Sequence, residues 1–392
     1  MPRHPTDTLP PLRIALVCPY SLSRPGGVQG QVVGLARALE ARGDKVTVFA
    51  PMDGGVHLPE GIDLVSTGST VSLPANGSIA PVNISPRAIL RARRILTSGA
   101  FDVVHVHEPF TPGLPYGVLL GGGIPPVVAT FHRSGGSVFY TVLRPLTRWV
   151  SRRFAVQCAM SVAARDTAAR AVRGTCEVTW NGVETDRFAS VGAWATDRPT
   201  VMFLGRHEER KGLITLLEAA ARMDDRPRLW IAGDGPLTGS LRQHYPPSSD
   251  VEWLGVLTEE DKVRRLKGAH VLCAPSLGGE SFGMVLLETM AARTVVVASD
   301  ITGYRDAAGG HAVLVPPADP AALAAALTGV LSGGSAVIDG PTGDLPAGTG
   351  TPPDPRERWL DAAALRAASF DMDHLAESYE ERYRWAMVSR PG

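Results

Sequence analysis

Short, nearly continuous apolar runs alternate along this chain with longer stretches of helical period. Residues 13–18, 45–50, 103–107 and 126–131 read as strands. Residues 28–42 read as a helix, with Gly43 suited to the turn that closes it. Strands apolar on both faces are covered on both sides, which is the pattern of a doubly wound parallel α/β sheet. The pattern pauses in the polar connection around residues 181–199. It restarts with runs at 200–205, 228–233, 251–255, 270–275, 294–299 and 311–316. The spacing predicts two Rossmann-like α/β domains, residues 1–190 and 191–371, then a terminal helix and tail over 372–392. Residues 332–355, dense in Gly and Pro, read as a loop.

Composition narrows the class. The chain has 392 residues, 44% hydrophobic and 20% charged, enough to bury two cores. No apolar run approaches the ~20 residues of a membrane span, and the first residues lack the apolar core of a secretory leader. Cys18, Cys158, Cys176 and Cys273 are scattered without metal-ligand spacing. A reducing, cytoplasmic setting and no structural metal are expected. The net charge is zero, but residues 1–190 carry 19 Lys+Arg against 12 Asp+Glu and the remainder 20 against 27. The basic first half points to an anionic partner.

Four segments could carry chemistry. Pro25-Gly26-Gly27-Val28 follows the first strand, and paired glycines let backbone N–H groups approach a ligand at a helix start. Gly205-Arg206-His207-Glu208-Glu209-Arg210-Lys211-Gly212 puts Arg206 and Lys211 at a strand end, where they could clamp a diphosphate. In Gly279-Glu280-Ser281-Phe282-Gly283 a further helix opens, with Glu288 inside it. Eight residues at ~1.5 Å each separate the two glutamates by about 12 Å, too far for a paired-carboxylate glycosidase. His132 ends the strand at 126–131; His105 and His107 read as packing or supporting groups. Taken singly, each segment also fits a solvated turn or an ordinary loop.

Residues 86–96 form a basic amphipathic stretch in which Arg87, Arg91 and Arg94 fall at i, i+4, i+7 beside Arg93, with Ile89, Leu90, Ile95 and Leu96 as its apolar side. Such a helix can lie on an anionic membrane or be an ordinary surface helix. A second stretch, with Arg144, Arg148, Arg152, Arg153 and Trp149, reads the same way. No nucleic-acid motif accompanies the charge. Asp371-Met372-Asp373 reads as a helix cap.

Together these residues resemble the retaining glycosyltransferases of family four, which have the GT-B fold of two Rossmann-like domains facing across a cleft. ESFGMVLLE matches the family's E-x7-E signature, GRHEERKG its G-R-x4-K-G segment and WNGVETDRF its P-N-G-V-D segment. Within the family, FDVVHVHEP, VATFH and APSLGGESFG are similar to the actinobacterial phosphatidylinositol mannosyltransferases. The resemblance implies a GDP-mannose donor, a phosphoinositide lipid acceptor, peripheral work at the inner membrane face, metal-independent chemistry with no cofactor beyond the nucleotide sugar, and a terminal helix crossing back to the first domain. It implies His132, Arg206, Lys211 and Glu280 as catalytic, and Gly26, Gly27, Ser281, Phe282, Gly283 and Glu288 as donor-binding. Arg87, Arg91, Arg93 and Arg94 would form the membrane and acceptor surface.

The chain departs from the family pattern at Pro81, where an arginine meets the inositol phosphate. It also departs after His132, where Arg133 stands near a missing lysine, at Trp180 for the usual proline, and at Arg293 for the usual glycine. The competing readings are the same chemistry with a GDP- or UDP-sugar on a soluble natural-product or polysaccharide acceptor, a nucleotide-sugar epimerase, and a non-catalytic sugar-nucleotide-binding protein.

Overall fold

The computed structural model describes residues 10–24, 26–54, 62–75, 78–133, 135, 142–333 and 354–389. Pro25 of the first glycine pair, Asn76 and Gly77, most of the stretch after Arg133 and residues 334–353 of the expected loop lie outside them. The chain divides into two compact units: residues up to Gly182 together with those from Met372 onward, and Val183–Asp371.

In the first unit, among the described residues, seven strands form a parallel sheet. They are β1 (Arg13–Val17), β2 (Lys45–Ala50), β3 (Asp63–Ser66), β6 (Val103–His107), β7 (Val127–Phe131), β8 (Phe154–Ala159) and β9 (Glu177–Val178). Their order is β3-β2-β1-β6-β7-β8-β9, with β4 (Val71–Ala75) and β5 (Ser78–Val82) paired separately as an antiparallel hairpin. Alternate residues feed two cores, as a pleat of period two requires. Ala15, Val17, Val104, Val106 and Phe131 face one side, and Ile14, Leu16, Val46, Val48 and Val103 the other.

The second of these cores is closed by α1 (Gly27–Ala41) and by the terminal helix (Met372–Val388), whose Leu375, Tyr379 and Tyr383 are buried there. The terminal helix thus belongs to the first unit, as expected. Arg42, just after α1, clamps it: Nε donates to Glu380 Oε1 at 2.8 Å and Nη1 to Asp373 Oδ1 at 3.2 Å. The strands β3, β8 and β9 and the hairpin have no counterpart among the expected strands: β3 and β9 are short, β8 lies behind a helical arginine stretch and the hairpin runs around Pro74 and Pro81, so none shows a clean strand signature.

The second unit repeats the plan with β10 (Thr200–Leu204), β11 (Arg228–Ala232), β12 (Val251–Gly255), β13 (Val271–Ala274), β14 (Val295–Ser299) and β15 (Val313–Val315), ordered β12-β11-β10-β13-β14-β15. Both sheets reverse direction of winding beside their first strand, between β1 and β6 and between β10 and β13. In such sheets the loops at the carboxyl ends of those strands diverge and leave a crevice.

Candidate active site

The loops leaving β10 and β13 flank the second switch point. Leu277 N–H donates to Arg210 O at 2.8 Å, which ties one loop to the other. Gly212, at φ +67°, makes the tie possible: a Cβ there would sit 1.9 Å from Pro275 O. The glycine after Lys211 is therefore required by the close approach of the two loops.

That approach gathers five charged groups. Glu208, 5% exposed, accepts from Arg206 Nε at 2.8 Å through Oε1 and from Arg210 Nε at 3.1 Å through Oε2. Glu280 Oε1 takes Lys211 Nζ at 2.7 Å and Arg210 Nη1 at 2.9 Å. Within this ion-pair network three cations face two carboxylates, one positive charge in excess, with the Asp234 carboxylate beside Arg206 at its margin. Arg210 and Glu208 were not among the residues singled out from the sequence. Nothing in the spacing marks Glu208 as buried, and Arg210 reads as one more charge of a solvated turn.

The Glu280 loop leads into α6 (Met284–Ala291) through Gly283, at φ +88°, whose Cβ would press on the Tyr304 ring at 2.6 Å. Gly283 thus has a packing reason to be glycine. Phe282 is buried edge-on against Phe370, which fixes the backbone ahead of the helix. Among the described residues no protein acceptor takes the Ser281 or Phe282 N–H. Glu288, one face further along α6, is held by Lys262 of α5 (Glu259–Gly268) at 3.0 Å. Burial disfavours the Lys262 ammonium, but Glu288 and Glu259 outweigh it and raise its pKa. Glu280 and Glu288 therefore sit on different cations and do not form a carboxylate pair.

In the first unit, Gly26 is extended and Gly27 begins α1. A Cβ on Gly27 would meet nothing within 4 Å, and its φ is not positive, so neither packing nor backbone geometry demands a glycine there. His132 directly follows β7, with its backbone N–H on Glu108 Oε1 at 2.5 Å; Arg133 N–H shares that oxygen at 2.6 Å. Glu108 is buried at φ +46°, a conformation uncommon outside glycine. His107 Nδ1 lies 3.0 Å from His132 Nε2. Burial pushes the His132 pKa down to about 4, against a smaller opposing effect of the Asn181 side chain. Burial also lowers His105 to about 3, and His107 falls well below its usual value.

The arginine helix α2 (Pro86–Leu96) is capped by Ser85, whose Oγ accepts from Ala88 N. Arg87, Arg91 and Arg94 are exposed together on one face. Leu90, expected on the apolar side, is 64% exposed, because at ~100° per residue it projects only about 40° from Arg94 and about 60° from Arg87. Arg93 differs from its neighbours: its guanidinium donates to the carbonyls of Gly117, Val118 and Gly122, closing the end of α3 (Leu114–Leu119). Arg153 also donates to the carbonyls of Leu119 and Gly121.

Other departures find physical accounts. Arg293 holds φ +58°, the left-handed conformation a glycine takes without strain, and its guanidinium is engaged by Asp361 and Glu357. Pro81 lies on β5 and its carbonyl accepts from Ser21 N at 3.1 Å. Asp371 accepts from Thr185 and Asp373 from Arg42, so the two aspartates of D-x-D serve separate contacts. The free cysteines 18, 158 and 273 are buried. No helix among the described residues is long and apolar enough to cross a membrane.

Comparison with known proteins identifies the family. Residues 25–187 match the family described as Glycosyltransferase Family 4, and residues 198–333 the one described as Glycosyl transferases group 1. The chain is 41% identical over 337 residues to a phosphatidyl-myo-inositol mannosyltransferase of Mycobacterium leprae, covering 82% of this chain and 87% of that one. It is 38% identical over 338 residues to one of Mycobacterium tuberculosis, covering 82% and 88%. Among solved structures, a glycosyltransferase from Rickettsia africae superposes with a TM-score of 0.70 at 17% identity, over 97% of this chain and 100% of that one. Anabaena HepE in complex with UDP and glucose gives 0.68 at 16%, over 95% and 99%. These two likenesses concern the fold alone, the GT-B arrangement of two Rossmann-like units. Family four works with nucleotide-sugar donors, and with matches over both units and relatives this similar, the chain belongs to the family four glycosyltransferases and is a glycosyltransferase.

Proposed function

We propose that this enzyme transfers mannose from GDP-mannose to phosphatidyl-myo-inositol with retention of anomeric configuration and without a metal. The observation that carries the reading is the charge cluster at the β10 and β13 ends, where Arg206, Arg210 and Lys211 exceed Glu208 and Glu280 by one. Identity of 38–41% to enzymes named for mannosyl transfer to that lipid supports donor and acceptor.

In this reading the diphosphate is the leaving group. Arg206 and Lys211 neutralise the charge that develops on it, and the Ser281 and Phe282 N–H groups, ahead of Gly283 and the start of α6, donate to its oxygens. Glu288 accepts from the ribose hydroxyls. Glu280 holds the hexose through Oε2, since Oε1 is taken by Lys211 and Arg210. Gly26 and Gly27 lay open backbone against diphosphate and sugar, which gives the bare Cα of Gly27 a purpose. His132, kept neutral by burial, contacts the transferred hexose and supports its oxocarbenium-like state. The acceptor hydroxyl attacks from the face the diphosphate leaves, and a departing phosphate oxygen takes its proton. A cavity of about 250 Å³ beside the cluster, lined by His207, Asp234 and Trp253, takes the base.

The exposed set Arg87, Leu90, Arg91 and Arg94 suits the enzyme's placement on an anionic bilayer at the cytoplasmic face. The test is incubation with GDP-mannose and phosphatidylinositol vesicles. An α-mannosylated lipid is expected, and release of GDP without any mannolipid would reject the acceptor. Pro81 favours a second reading, the same transfer to a soluble acceptor, because it supplies no cation where the related enzymes meet the inositol phosphate. Co-sedimentation with those vesicles separates the two.

A further inference from the structure

Behind His132 stand two more imidazoles in series. The rings of His105 and His107 stack at 4.2 Å and those of His107 and His132 at 5.2 Å. His105 is fixed at both nitrogens: Nδ1 is 2.7 Å from Tyr383 Oη of the terminal helix, and Nε2 is 2.7 Å from Thr130 Oγ1, which is itself 2.9 Å from Tyr379 Oη. The plane of His107 is therefore held by a ring that cannot turn. Its own Nδ1 faces His132 Nε2 at 3.0 Å, while its Nε2 is buried and has no hydrogen-bond partner among the described residues.

Donor accounting then selects one arrangement. One nitrogen of the 3.0 Å pair carries the proton. If it were His132 Nε2, a neutral His107 would carry its proton on Nε2, a buried N–H with no acceptor. Orphaned buried N–H groups are rarer in folded proteins than buried acceptors left short of a donor. With the proton on His107 Nδ1, the buried Nε2 is only a lone pair, and His132 keeps its single proton on Nδ1. We propose that His107 is a positioning residue for His132, donating Nδ1–H to His132 Nε2 and holding it as the neutral ring protonated on Nδ1. His132 then offers the sugar a hydrogen-bond donor and is denied a second proton on Nε2. This last consequence rests on the proposed contact between His132 and the hexose; the tautomer does not.

The test uses 15N-histidine-labelled enzyme near pH 7.5, with His132 assigned by the signal lost in His132→Gln. A long-range 1H–15N spectrum is expected to show His132 protonated at Nδ1 and bare at Nε2. His107→Phe keeps the stack and removes the donor, so His132 should revert to the Nε2–H form that imidazole prefers in water. kcat should then fall roughly 10- to 100-fold, the range usual when a group orienting a histidine is removed. KM for the nucleotide sugar should stay within about threefold, because binding at the diphosphate is untouched. His107→Asn, whose amide N–H stands where Nδ1–H stood, should recover most of kcat and the wild-type tautomer, and it serves should the Phe variant fail to fold.

An Nε2-protonated His132 in the wild type would overturn the proposal. So would full kcat in His107→Phe when His132→Ala is inactive. Full activity in His132→Ala would instead overturn the assigned role of His132 and leave the tautomer result standing.

Discussion

Lys211 Nζ lies 2.7 Å from Glu280 Oε1, and Arg210 reaches the same oxygen at 2.9 Å across 70 residues of sequence. A cation proposed for the leaving-group site and a carboxylate thus hold each other in place. Neither lysine nor glutamate needs to be reorganised when an anion arrives, which is how preorganised charge lowers a barrier.

Lys211→Ala should lower turnover about 100- to 1000-fold, the usual loss for one donor to developing negative charge. Glu280 keeps Arg210, so the thermal midpoint should stay near that of the wild type. Steady-state kinetics and a melting curve on the same preparation decide it, and near-normal turnover would remove Lys211 from the leaving-group site.

Glu288→Ala should act on binding. Hydrogen bonds to a charged group contribute about 1.5–3 kcal/mol, so KM for the nucleotide sugar should rise roughly 10- to 100-fold. The variant also leaves Lys262 with Glu259 alone, and the denaturation midpoint should drop modestly. An unchanged KM would place the ribose elsewhere.

Stability should fall in mild acid. His105, His107 and His132 all have folded-state pKa values below the ordinary histidine value of about 6.5, mainly through burial. The unfolded chain binds more protons as pH drops through 6.5, so the stability present above that value is lost progressively toward pH 4. Each histidine contributes about 1 kcal/mol per pH unit in this window. Urea midpoints measured at pH 7.5, 6.5, 5.5 and 5.0 should decline with a slope that shrinks in His105→Phe. A flat profile would contradict the buried neutral array.

The arginines of α2 should separate by function. Arg87, Arg91 and Arg94 are exposed, and each changed to Gln should weaken binding to anionic vesicles by about 1 kcal/mol at low salt, without altering the melting point. Arg93→Gln should do the reverse. It strands three carbonyls at the end of α3 and should cost about 1–2 kcal/mol of stability while sparing vesicle affinity. Equal effects of all four on co-sedimentation would reject the division.

Apolar runs bounded by glycine and proline were enough to place β1, β2, β6 and β7, the six strands of the second unit and the terminal helix, because a strand buried on both faces must be apolar at nearly every position. Local order along the chain likewise put His132, Lys211 and Glu280 at strand ends. Pairing was decided by tertiary structure alone. The closeness of Gly212 to Pro275 brings Lys211 to Glu280, Lys262 finds Glu288 between two helices, and Arg93 turns inward while Arg94 beside it faces out. The setting of His105, which packs against Tyr379 and Tyr383, depends on the terminal helix returning to the first unit from the far end of the chain. Those relations depend on distances between residues remote in sequence, and a one-dimensional pattern does not encode such distances.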